Sequence, residues 1–141
     1  MKIVIIGSVA FRNEMVDFKS KLNTIGHEAI ICPVMEELAR GEKPELLKQI
    51  GEDHAQAKRI GGFIKWYYNA IVDSDAVLAL NFNKGGVKNY IGGNTLMEIG
   101  FAHVHNKKIF LLNPIPENVS YTDEIKAMTD IVIHGNLDLI E

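Results

Sequence analysis

The run KIVIIG at residues 2–7 sets the first constraint on the fold. It is continuously apolar and β-branched, with none of the alternation expected of a strand that has one wet face. Such a strand has to be covered on both sides, as in parallel sheets whose crossover helices pack on the two faces. The rest of the chain keeps that rhythm. Phe11, Met15, Phe18, Leu22 and Ile25 recur at helical spacing over 11–24, and Gly26 offers a stop. A second strand is expected over 28–33, ended by Pro33. Residues 34–41 read as helical, and Pro44 suits the start of a long helix. Its apolar stripe runs through Leu47, Ile50, His54, Ala57, Ile60, Ile64, Tyr67 and Ile71, with a kink expected at Gly61-Gly62. Strands at 75–82, 107–113 and 130–135, with helices over 95–106 and 120–128, complete the alternation.

That order predicts one α/β domain over residues 1–141, a flavodoxin-like (Rossmann-like) three-layer sandwich. Its five-stranded parallel sheet should have the order 2-1-3-4-5, with right-handed crossovers. Ligands of such sheets bind beyond the carboxyl ends of the strands, at the switch point between strands 1 and 3. The rule gathers residues 7–13, 81–94 and 113–118 around one crevice. The loop over 83–93 is long for a plain connection and is a candidate binding loop.

Composition removes several function classes. A formal charge of −3 and the lack of a basic run argue against a nucleic-acid partner. The apolar stretches are strand-sized, so neither a membrane span nor a signal peptide is expected. Cys32 is the only cysteine, and a reducing cytoplasm is the simplest home for such a chain. No G-x-G-x-x-G follows the first strand and no G-x-x-x-x-G-K-[ST] occurs, which sets aside dinucleotide and P-loop sites. The acidic cluster of a response-regulator receiver and the Ser/Thr-rich clamp of a flavodoxin are also missing. His103 and His105 lie two apart in a predicted helix and face different ways, so no metal site is expected. Ser8 has no nucleophile-elbow motif around it.

The stretch IGGNTLMEIG (91–100) carries the chemistry. Two readings of Glu98 stand side by side. Thr95-x-x-Glu98 matches a capping box, with Thr95 as N-cap. Alternatively, a helix N-terminus keeps Glu98 ionised in a cleft, where a carboxylate can attack the anomeric carbon of a sugar. Gly92 and Gly93 either form a tight turn or let a ligand approach the backbone closely.

SDAVLAL together with GGNTLMEIGFAHVHNKKIFLLN resembles the nucleoside 2-deoxyribosyltransferase superfamily, which includes the deoxynucleoside 5'-monophosphate N-glycosidases. The opening MKIVIIGS is similar to that family's first strand and Gly-Ser turn. GGNTLME also resembles the P-G-G-x-G-T-x-x-E signature of cytokinin-activating phosphoribohydrolases, with one glycine missing. The resemblance implies cleavage or transfer at the N-glycosidic bond of a nucleoside or nucleoside 5'-monophosphate, without a cofactor. It implies Glu98 as nucleophile and Asp75 as an acidic residue handling the leaving base or the sugar. Gly7, Ser8 and Arg12 fall where the family contacts phosphate or sugar. The family usually places Asp or Ser six residues before its nucleophile. Gly92 occupies that place here, so Asn94 or Thr95 would have to substitute.

Around these, Lys84 and Lys88 offer charge for a phosphate, and Tyr90 a ring to stack on a base. Phe63, Trp66, Tyr67 and Tyr68 exceed what one core stripe holds, so some are expected at the cleft or at a homo-oligomer interface. A non-catalytic nucleotide-binding module of the same fold is the alternative reading.

Overall fold

The first strand lies inside the sheet, as its composition requires. In the computed structural model, which describes residues 1–141 apart from the side chains at 57, 58, 60 and 61, β1 (Lys2–Gly7) pairs on one side with β2 (Glu28–Ile30). On its other side it pairs with β3 (Ala76–Leu80). The sheet continues through β4 (Lys108–Leu111) to β5 (Ile131–Val132). All pairings are parallel, and the five strands run in the order 2-1-3-4-5. Ile3 to Ile6 of β1 are fully buried and every residue of β3 is buried, so both central strands are enclosed on two faces.

Helices flank this sheet. A 3-10 turn (Val9–Phe11) leads into α1 (Arg12–Thr24), which packs on β1 and β2 through Met15 and Leu22. The chain continues through α2 (Pro33–Ala39), which packs on α1, then α3 (Pro44–Glu52), α4 (His54–Gly61) and α5 (Phe63–Val72), the last packing on α6 (Gly93–Val104), which also packs on α7 (Thr122–Met128). Helix α6 packs against β1, β3 and β4. No helix among the described residues is long and apolar enough to cross a membrane.

The single long helix expected after Pro44 is three helices. Asp53 leaves the helical region (φ −144°, ψ 86°), and its carboxylate accepts the Gln56 N–H, which restarts the chain as α4. Gly62 then adopts a left-handed conformation (φ 62°) and starts α5 at a new angle. The break changes which residues face inward. Ile50, Tyr67 and Ile71 of the expected stripe are buried, but Ile64 is 39% exposed and Phe63 is buried in its place. His54 is exposed, while the side chains of Ala57 and Ile60 lie outside the described residues.

The outer strands are shorter than expected. Pro33 opens α2 instead of merely ending β2, and its position at the start of a helix needs no N–H. At β5, the Asp130 carboxylate accepts the Ile109 N–H (2.8 Å), and pairing is confined to Ile131 and Val132. Beyond β3, the fully buried Asn81 ties two loops together. Its Oδ1 accepts the Asn113 N–H (2.8 Å), and its Nδ2 donates to the carbonyls of Asn113 and Pro114 (3.0 Å each).

Replacing Asn81 by Ala strands these buried groups and is expected to cost about 1–3 kcal/mol. Urea unfolding should show a lower midpoint with an unchanged m value.

Candidate functional site

The crevice lies beyond the carboxyl ends of β1 and β3. It offers about 150 Å³ to the centres of water molecules, and about 780 Å³ when its open mouth is counted. Gly7, Ser8 and Val9, from the turn after β1, line it together with Lys84 and Tyr90 of the loop after β3. The start of α6 contributes Gly92, Gly93, Asn94 and Thr95, and Glu98 follows one turn along. Met35, Ile50, His54, Phe63 and Tyr67, from α2 to α5, complete the lining.

The way α6 begins bears on the capping-box reading of Glu98. The N-cap is Gly92 in an extended conformation (φ −84°, ψ 176°), and no side chain caps the helix. Thr95 is therefore the third helical residue and Glu98 the sixth, with no acidic residue in the first turn. A capping box requires Thr95 outside the helix, so that account of Glu98 is corrected: the Gly92-Gly93 pair starts the helix too early for it. The expectation that Glu98 sits right at the positive end of the helix is corrected with it. Glu98 is 3% exposed and lines the crevice from the second turn. The N–H groups of Gly93, Asn94 and Thr95 have no protein acceptor among the described residues. They are the orphan donors that make a helix start attractive to an anion.

The loop after β3 is folded on itself. Lys84 and Val87 exchange backbone hydrogen bonds (3.0 and 2.9 Å) around Gly85 and Gly86, both with positive φ (58° and 77°). This is the backbone a two-residue hairpin turn demands. Asn83 Oδ1 accepts the Asn89 N–H (2.9 Å), and Tyr90 N–H donates to the Phe82 carbonyl (2.9 Å). The hairpin brings Lys84 Nζ to Ser8 Oγ, to which it donates at 2.9 Å, and over the Tyr90 ring at 5.0 Å from its centre. A Cβ on Gly92 would meet the Tyr90 hydroxyl at 2.6 Å, whereas one on Gly93 would meet nothing within 4 Å. The close approach that Gly92 permits is that of Tyr90.

Two expected site residues are elsewhere. Asp75 precedes β3, at the amino end of the sheet, and its carboxylate accepts the Lys2 N–H (2.7 Å). It borders an open hollow with Lys107, Lys108 and Asp130. The five residues of β3 separate it from the crevice by roughly 16 Å at a strand's rise per residue. The resemblance matched its place at the start of the strand, and a parallel strand carries that place away from the ligand end. Arg12 is also turned aside, its Nη1 donating to the Val9 carbonyl (3.2 Å) within its own turn. Lys88 is exposed and does not line the crevice.

Tyr67, one of the surplus aromatics some of which were expected at the cleft, does line the crevice. It is 3% exposed and lines the crevice near Glu98. Burial pushes its phenol well above the ordinary 10.0, and the charges of Glu98 and then Cys32 add to the shift against a smaller opposing contribution from the Cys32 backbone. At neutral pH Tyr67 therefore keeps its phenol proton. Phe63 lines the crevice too, Trp66 packs edge-on to Tyr67 (5.0 Å), and Tyr68 sits on an exposed face with Phe101 and His105. Cys32 is buried, and burial raises its thiol above the usual range. Among the described residues no group of three or more His, Cys, Asp or Glu is placed to hold a metal ion.

No protein-family model and no curated protein matches the chain. In fold it is similar to the solved structure of the CMP N-glycosidase BcmB of Clostridium botulinum, at 17% identity and a TM-score of 0.50, over 93% of this chain and 85% of that one. At that identity the likeness is one of architecture.

The raised Tyr67 value has a measurable sign. The folded state holds this proton more tightly than the unfolded chain, so its contribution is intact below about pH 10 and lost as pH rises through the folded value. Absorbance titration of the tyrosinates should show one phenol ionising only with unfolding. Tyr67→Phe should remove that phase and flatten the loss of stability above about pH 10.

Proposed function

We propose that this single-domain chain cleaves the N-glycosidic bond of a nucleoside 5'-monophosphate, with Glu98 as nucleophile. The observation that carries the reading is the placement of the buried Glu98 carboxylate in a crevice that also holds the orphan amides of α6 and the Lys84 ammonium. A fold shared with a protein described as a CMP N-glycosidase supports it.

The chemistry assigns each part of the lining a task. The substrate phosphate sits at the start of α6, taking hydrogen bonds from the Gly93, Asn94 and Thr95 amides, Lys84 and the Ser8 hydroxyl. The base lies against Phe63, Ile50 and Met35, where its flat apolar faces are sheltered. That leaves C1' of the sugar over Glu98. A carboxylate oxygen attacks C1', the bond to the base breaks, and a glycosyl-enzyme forms. Water then attacks C1' from the opposite face and releases Glu98, so the product keeps the original anomeric configuration. His54 and Asn94 line both the crevice and an adjoining groove.

Incubation with a panel of ribo- and deoxyribonucleosides and their 5'-monophosphates, followed by chromatography of the free base, tests the reading. Base release from a monophosphate is expected, and Glu98→Gln should lower it by at least about 10³-fold with the fold intact by circular dichroism. Binding without base release by the unaltered chain would leave a nucleotide-binding module instead. Lys84→Ala should raise KM for the monophosphate by about 10- to 100-fold, the worth of a hydrogen bond to a charged group, and leave KM for the free nucleoside nearly unchanged.

A further inference from the structure

Breaking a bond to a base nitrogen needs more than a nucleophile. A base that departs as an anion is a poor leaving group, and a proton delivered in the transition state removes that difficulty. The residue the sequence offered for this task, Asp75, is at the wrong end of the sheet.

Among the described residues the crevice offers few other protons. Lys84 donates to Ser8 and stands over Tyr90, so these three side chains are engaged with one another beside the α6 amides. Tyr67 is buried close to the Glu98 charge, and a phenol that holds its proton so tightly is a weak acid. His54 is different. It is the first residue of α4, fixed there by the Asp53 cap that restarts the helix. It lines the crevice with the apolar side chains that would receive the base, and it also borders the adjoining groove. Its imidazole has no hydrogen-bond or ion-pair partner among the described residues. Imidazole is the side chain that most often serves as a general acid and base.

Resting on the reading of Glu98 as nucleophile, we propose that His54 is the proton donor to the departing base and the acceptor of the proton from the attacking water. In the first step the C1'–N bond breaks, a Glu98 oxygen bonds to C1', and the His54 imidazolium proton passes to the base, which leaves neutral. In the second step water bonds to C1', the bond to Glu98 breaks, and neutral His54 takes the proton released by the water. The sugar phosphate departs with a new hydroxyl at C1', and both side chains return to their starting states.

The test separates proton delivery from positioning. The substrates are the ribo- and deoxyribonucleoside 5'-monophosphates, alongside 4-nitrophenyl β-D-ribofuranoside 5'-phosphate and its 2-deoxy counterpart, whose nitrophenolate departs without a proton. His54→Ala and His54→Gln, checked for unchanged thermal melting, should lower kcat for base release by about 10²- to 10⁴-fold, the usual worth of an acid or base catalyst. The first-turnover burst of nitrophenolate, which reports the first step alone, should fall by far less, whereas steady-state turnover of these substrates should slow because their second step still needs His54. Equal first-turnover losses on both kinds of substrate would make His54 a positioning residue and overturn the proposal, as would no loss on either. If Glu98→Gln abolishes base release while the His54 variants retain it, the His54 role fails and the nucleophile stands. If the unaltered chain releases neither base nor nitrophenolate, both fail together.

Discussion

The parallel pairing of β1 with β3 is the constraint on which the rest of the site depends. It sets Gly7 opposite Leu80 at the carboxyl end of both strands. A side chain at Gly7 would stand 3.1 Å from the Leu80 carbonyl oxygen and 3.3 Å from Met15 Cε, on a backbone with φ of 156°. Glycine there lets β1 end tight against β3 and turn at once into Ser8. The same pairing delivers the hairpin that returns from β3, so Lys84 and Ser8 meet although 76 residues separate them. The central strands are fully enclosed, which makes a register shift between them costly and keeps this geometry fixed.

On that frame the crevice joins surfaces of different character. The turn after β1, the hairpin and the start of α6 bring hydroxyl, ammonium and amide donors. The segment from α2 to α5 brings Met35, Ile50, Phe63 and Tyr67. An amphiphilic ligand with an anionic group and a flat ring suits such a lining better than a purely polar or purely greasy one. Glu98 reaches the crevice from the second turn of α6, beside a phenol that stays neutral.

The fold was legible because its signals are long and redundant. Four consecutive buried positions in β1 admit little but a two-sided strand, and the strand-helix alternation leaves few topologies. Much of the crevice lining was legible through Ser8, Tyr90 and residues 92–95 with Glu98. What failed depended on features a pattern does not carry. The apolar stripe ran through Asp53 and Gly62 without registering that a capping carboxylate and a left-handed glycine would cut it twice. The Thr-x-x-Glu spacing looked like a cap because the pattern could not tell that Gly92 already ends the loop. Asp75 was assigned by its place in a motif, with no account of which end of the strand the motif occupied. His54 lies in a segment whose bends decide what faces the crevice, so its place in the lining, and which of the surplus aromatics reach it, emerged only from the three-dimensional path of the chain.

The covalent intermediate tests the central claim most directly. Mixing the chain with a monophosphate it turns over, quenching in acid within milliseconds and mapping the peptides by mass spectrometry should locate one sugar phosphate on the peptide containing Glu98, at Glu98 itself. Turnover with no adduct at any quench time, together with inversion at C1', would mean that water attacks directly and that Glu98 is not the nucleophile.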